Sequence, residues 1–130
     1  MCGIAGAIDF SPRYREETAR EIAGEMTARL RRRGPDQEGQ YHADHVMLAH
    51  TRLCVVDIEK GRQPMSNENG DIWLAVNGEI YNFIELRSEL QRKGHVFHSS
   101  SDSEVIVHAY EEYDLDFVKY LRGMFALSLY

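Results

Sequence analysis

Apolar and polar positions follow two different periods along the 130 residues. Short apolar runs bounded by turn residues alternate with longer segments in which apolar residues return every three or four positions. Residues 3–8 (GIAGAI) are small and apolar throughout, which predicts a short strand buried on both faces. A loop at DFSPRY leads into a predicted helix over Glu16–Arg33, with Ala19, Ile22, Ala23, Met26 and Leu30 forming its apolar stripe. Gly34 and Pro35 stop that helix, and the arginines of RLRRR fall in its last turn, where the helix dipole favours cations. Strands are expected near Glu38–His42, Val46–Ala49 and Leu53–Asp57, followed by the turn-rich loop EKGRQPMSNENGD and a strand over Ile72–Val76. A helix over Phe83–Lys93 is predicted next, with Asn82 and Glu85 spaced as a capping box and Gly94 at its far end. A short strand near Val96–Phe97 precedes another helix, capped by Ser101 and Glu104, whose buried face is Val105, Ile106, Ala109 and Tyr113. The chain closes on GMFALSLY, a strand pattern with no polar tail, which suggests part of a longer polypeptide. Strands lie on both sides of the central helices without regular βαβ alternation, so the expected class is α+β with a largely antiparallel sheet.

Length and composition narrow the partners. The chain suffices for one compact domain. Its 43% hydrophobic content can build a core, and its 28% charged content with a net charge of −6 fits ordinary solvated faces. An acidic balance argues against nucleic acid or an anionic membrane as the main partner, because phosphate binding is driven by Lys and Arg. No apolar run reaches the roughly 18 residues of a spanning helix, and no secretory signal opens the chain. Cys2 and Cys54 are too few for a disulfide scaffold, so the expected compartment is the cytoplasm, with both thiols reduced.

The chemistry starts at MCGIAG. Removal of Met1 would leave Cys2 with a thiol and a free α-amine on one carbon. A free cysteine thiol ionises near pH 8.5 and an α-amine at about 7.7–8.0, so the amine can accept the thiol's proton without a histidine. The plainer reading is a small buried cysteine behind a retained methionine. An attacking thiolate on an amide also needs oxyanion donors and a holder for the substrate's charges. Asn77 offers a side-chain NH2 and Gly78 a backbone N–H, although Asn-Gly is also a common hairpin turn. Arg52, just before a predicted strand, can clamp a carboxylate, although it also reads as a surface arginine. Asp102 can pair with an ammonium group or act as an ordinary N-cap. Together these groups suit a substrate with a zwitterionic head and an amide tail, and glutamine is the obvious candidate.

The stretches MCGIAG, RRRGPDQEG, AHTRLCVVD, QPM, AVNGEIYN, SDSEVIVHAY and GMFALSLY together resemble the glutaminase domain of glutamine-dependent asparagine synthetases, a class II amidotransferase. The resemblance covers essentially the whole chain. It implies the N-terminal nucleophile hydrolase fold, an αββα sandwich of mainly antiparallel sheets, incomplete at the C-terminus because family domains continue for several dozen residues. Residues 1–130 would be the N-terminal part of that domain, without the synthetase domain. Cys2 would be the nucleophile, Asn77 and Gly78 the oxyanion hole, Arg52 the carboxylate site, and Asp102 and Glu79 the contacts to the amino group, with backbone around Val56 touching the substrate. The implied reaction runs through a γ-glutamyl thioester, and a tunnel carries ammonia to a C-terminal synthetase domain that activates aspartate with ATP and Mg2+. No cofactor is expected in this chain itself, and pairing into a homodimer stays open. Cys54 stands where the family usually carries Ser.

Other candidates carry less. His42, His45 and His50 cluster, and His95 and His98 are spaced H-x-x-H. A structural zinc site normally includes cysteines, Cys54 is the one thiol to spare, and no metal site is expected. His108 lies one helical turn from Glu104 and from Glu112, the spacing of a surface ion pair. Trp73 and the seven tyrosines read as core and strand residues. The rivals are another class II amidotransferase, acting on a sugar phosphate or a phosphoribosyl substrate, and a non-catalytic glutamine-binding module of the same fold.

Overall fold

The computed structural model describes residues 1–10, 16–43, 45–54 and 60–130. In chain order the elements are β1 (Gly3–Ile8), α1 (Glu16–Leu30), β2 (Gln37–Ala43), β3 (Val46–Arg52), β4 (Met65–Ser66), β5 (Trp73–Ile80), α2 (Phe83–Arg92), α3 (Glu104–Tyr113), a 3-10 helix (Asp114–Lys119) and β6 (Gly123–Leu129). The strands form two three-stranded antiparallel sheets, ordered β1-β3-β2 and β4-β5-β6. Helix α1 covers the first sheet, the two sheets face each other through β1, β3, β5 and β6, and α2 with α3 covers the second. The layers are therefore helix, sheet, sheet, helix.

The main core lies between the second sheet and its helices. Leu74, Val76 and Ile80 of β5 meet Leu86 and Leu90 of α2 and Val105, Ile106 and Ala109 of α3. Each large aliphatic side chain buried there contributes about 1.5–3 kcal/mol. Strand β3 is central in its sheet and buried at all seven residues, because α1 covers one face and the second sheet the other.

Several elements differ from the sequence expectation. Helix α1 ends at Leu30, so Arg31–Arg33 form a turn beyond it. Strand β3 runs on through His50, Thr51 and Arg52, where the polar pattern predicts a break. Each of these buried polar residues bonds a neighbouring group. His50 meets the Val76 carbonyl, Thr51 donates to Leu30 O on α1, and Arg52 donates to the Gln37 side chain. Leu53 and Cys54 are coil rather than the start of a strand, and the rest of that expectation, like most of the DFSPRY loop, lies outside the described residues. Residues 96 and 97 form no strand; the Val96 N–H goes to the Glu68 carboxylate and Phe97 packs on His108. Asn82 stands at the N-cap of α2 but makes no side-chain capping bond. Its side chain donates to Tyr120 O and accepts the Arg122 N–H, tying the start of α2 to the approach to β6. Ser103 rather than Ser101 stands at the N-cap of α3, with no side-chain capping bond, and the Glu104 carboxylate instead accepts the N–H groups of His98 and Ser99. His108 is not a surface residue: it is fully buried.

Candidate active site

Cys2 leads directly into β1, whose first residue, Gly3, pairs with Thr51 near the end of β3. This antiparallel register sets Cys2 beside Arg52. The turn after α1 braces the corner. Arg33 Nε donates to Cys2 O at 3.1 Å, the Asp36 N–H donates to Arg52 O at 3.0 Å, and the Asp36 carboxylate accepts the Cys54 N–H at 2.7 Å. A Cβ at Gly34 would lie 2.4 Å from the Thr51 carbonyl, so only glycine lets the turn pass this close to β3. The Cys2 thiol lies 3.9 Å from Leu53 O, within reach of a weak S–H donation.

The second wall is β5. Asn77 and Gly78 are not a turn at the end of a strand; they lie inside β5, opposite Ala126 and Phe125 of β6. Antiparallel pairs alternate between exchanging hydrogen bonds and pointing both groups away. Trp73 with Tyr130, and Tyr81 with Arg122, mark the bonded phase. Val76, Gly78 and Ile80 therefore direct their N–H groups to the opposite edge. There, Val76 N donates to Gln63 Oε1 at 2.6 Å and Ile80 N to Asp102 Oδ2 at 2.7 Å. The Gly78 N–H, between them, is aimed at the cavity. A Cβ on Gly78 would come within 2.2 Å of Met124 O and 2.5 Å of Phe125 Cα, which explains the glycine.

A cavity of about 600 Å³ opens between these walls. Cys2, Arg52, Asn77, Gly78, Glu79 and Asp102 all line it, and these are six of the seven residues singled out from the sequence. The seventh, Val56, lies outside the described residues. Met1 also lines the cavity and is 74% exposed. Arg52 is 5% exposed, so its charge acts in a largely dry setting where a carboxylate partner is bound more strongly than in water. Both cysteines are free thiols.

Sequence reasoning missed the supports. Gln63 and His50 hold Val76 by its two backbone groups, its N–H and its carbonyl, one residue before Asn77. Burial lowers the His50 pKa, the Val76 carbonyl works against this and the Arg52 charge adds to it, leaving it at about 4. His50 is therefore a neutral donor to Val76 O. These residues act on backbone groups, and no spacing rule exposes that. The three histidines 42, 45 and 50 do not converge: His45 packs on Tyr130, and His50 serves Val76.

The profile of the family described as "Glutamine amidotransferase domain" matches residues 1–130. Asparagine synthetase [glutamine-hydrolyzing] 1 of Bacillus subtilis is 40% identical over 130 residues, covering 100% of this chain and 21% of the relative. Asparagine synthetase [glutamine-hydrolyzing] 1 of Arabidopsis thaliana is 46% identical over 129 residues, covering 99% and 21%. The chain thus spans about a fifth of the length of these relatives. Among solved structures, the glutamine phosphoribosylpyrophosphate amidotransferase of B. subtilis superposes with a TM-score of 0.55 at 27% identity, over 66% of this chain and 21% of that one. An allosteric regulatory enzyme of purine biosynthesis superposes at 0.53 with 23% identity over the same shares, a likeness of fold. The architecture is that of the α+β N-terminal nucleophile amidotransferases. The chain belongs to the glutamine amidotransferase domain family.

Proposed function

We propose that this domain hydrolyses L-glutamine to glutamate and ammonia, with Cys2 as nucleophile once Met1 has been removed. The α-amine of Cys2 takes the thiol proton, and the sulfur attacks the side-chain amide carbon. The carbonyl oxygen gains negative charge and accepts hydrogen bonds from the Gly78 N–H and the Asn77 side-chain amide. The C–N bond then breaks, and the leaving nitrogen takes the proton held by the α-amine and departs as ammonia. Water cleaves the γ-glutamyl thioester, releasing glutamate and restoring the thiol. Arg52 binds the substrate carboxylate, while Asp102 and Glu79 face its ammonium group. The supporting observation is the β5 edge, where Gln63 and Asp102 take the flanking N–H groups and the one between them faces the cavity that Cys2 lines.

Cys2→Ala should abolish glutamine hydrolysis while leaving glutamine binding intact, and Cys2→Ser should be severely impaired. Arg52→Ala should mainly raise KM for glutamine. Normal turnover by Cys2→Ala would remove the assigned nucleophile. We further propose that the ammonia supplies an ATP- and Mg2+-dependent conversion of aspartate to asparagine in a C-terminal synthetase domain, in the cytoplasm. Asparagine synthetase relatives at 40–46% identity over nearly the whole chain favour this acceptor over a phosphoribosyl one, where the likeness is 27% over 66%. The intact polypeptide supplied with glutamine, ATP and aspartate should form asparagine; glutamine hydrolysis without asparagine would assign another acceptor.

A further inference from the structure

Beside α3, and outside the lining of the glutamine cavity, three segments that are separate in sequence converge. Glu68 comes from the turn after β4, His95 from the loop after α2, and His108 and Glu111 from α3. One donor atom from each lies within 4.8 Å of the others, the only such group among the described residues. In the sequence His95 is spaced with His98 as H-x-x-H, and no metal site is expected there. The fold instead brings His95 to His108 and sends the His98 N–H to Glu104.

Two of the spacings lie close to those of metal ligands, and a third is a hydrogen bond that a bound ion would replace. His108 Nδ1 lies 2.9 Å from Glu111 Oε2 and 3.6 Å from Glu68 Oε2, and His95 Nδ1 lies 3.4 Å from Glu111 Oε2. Four N and O ligands at about 2.0–2.1 Å from a tetrahedral zinc ion stand about 3.3–3.4 Å apart. Both imidazoles turn Nδ1 inward, and each outer ring nitrogen faces a second carboxylate. His95 Nε2 lies 3.5 Å from Glu112 Oε2, and His108 Nε2, buried without a hydrogen-bond partner, lies 3.8 Å from Glu104 Oε1. The outer oxygens of the two acids are also held, Glu111 Oε1 by the Asn67 side chain at 2.8 Å and Glu68 Oε1 by the Val96 N–H at 2.7 Å. Such outer partners are what orient histidine and carboxylate ligands around a metal. A solvated surface ion pair requires none of this, and His108 is 0% exposed.

We propose that Glu68, His95, His108 and Glu111 bind one zinc ion as a structural site, cross-linking the turn after β4 and the loop after α2 to α3. Binding displaces the proton shared by His108 and Glu111 and closes the shell with protein ligands alone. The site lies outside the glutamine cavity, and its success or failure is independent of the hydrolysis proposed above.

The test is zinc content and chelator-competition affinity on the intact polypeptide, compared with His95→Ala and Glu68→Gln, which alter the two ligands on loops and spare the buried His108. Zinc bound by Cys2 or Cys54 cancels in the comparison. The expected result is one more zinc per chain in the wild type than in His95→Ala, and at least ten-fold weaker binding in Glu68→Gln. Zinc should also raise the melting temperature of the wild type by several degrees and leave that of His95→Ala unchanged. Cobalt(II) should give intense tetrahedral absorption in the wild type that His95→Ala lacks. Equal zinc content and equal melting shifts in the wild type and both variants, with circular dichroism showing them folded, would overturn the site.

Discussion

His50 shows how a buried residue couples the corner beside the cavity to pH. Its ring is fully enclosed between the sheets and meets Val76 O at 3.1 Å. The folded pKa is about 4, below the ordinary 6.5. Between those values the unfolded chain binds a proton that the folded one refuses, so stability falls as pH falls from 6.5 towards 4. Above 6.5 both states are neutral and the contribution is flat. The full shift corresponds to a loss of about 3 kcal/mol across that window. His50→Gln retains a donor for the Val76 carbonyl and should flatten the slope, read from urea midpoints at pH 7, 5.5 and 4.5. An unchanged slope in His50→Gln would assign the dependence to other groups. That Cys2, Arg52 and Asp102 would come together is legible in the sequence, because a thiol, a guanidinium and a carboxylate have recognisable chemistry, and all three line the cavity. His50, Gln63, Arg33 and Asp36 are not legible in this way, because each acts by bonding a backbone group that only the folded chain brings near.

At the scale of elements, strand β5 holds the site together through its pairing with β6. Gly78→Ala would drive a Cβ into Met124 O and Phe125 Cα, forcing the two strands apart where the Gly78 N–H must keep its direction. The expected cost is about 1–3 kcal/mol of stability. If the Gly78 N–H is the oxyanion donor, as proposed, losing its aim should also lower kcat on the order of a hundred-fold. Thermal unfolding and steady-state kinetics on the same sample read both effects; wild-type kcat in a folded Gly78→Ala protein would place the donor elsewhere. The helices over Phe83–Arg92 and Glu104–Tyr113 and the last strand were readable from periodicity, since each presents one apolar face to a single core. Strands β3 and β5 extend beyond the sequence expectation because His50–Arg52 and Asn77–Glu79 interrupt the apolar pattern. Those polar stretches are where the strands pass the cavity, so the misreading falls where function departs from packing.

For the whole molecule, the cavity sits where the start of β1, the end of β3, the middle of β5 and the N-terminus of α3 meet. None of these elements could form the site alone, and the proposed nucleophile, Cys2, immediately precedes β1. While Met1 remains, the Cys2 nitrogen is an amide and cannot serve as a base, and the methionine side chain stands against the cavity. Protein carrying a residue ahead of Met1 that prevents its removal should therefore release no ammonia from glutamine, and proteolytic exposure of Cys2 should restore turnover. Mass spectrometry together with an ammonia assay checks this; full activity with Met1 in place would rule out the α-amine as base.

The alternating edge of β5 has one further effect. Because its amides face opposite ways at successive residues, sliding the strand by a single position against β6 would turn the Gly78 N–H into the ladder. The groups of Asn77 or Glu79 would then face outward instead. Reactivity here is thus tied to strand alignment, and a one-residue insertion or deletion that shifts β5 against β6 at Gly78 is expected to abolish glutamine hydrolysis even if every motif residue survives.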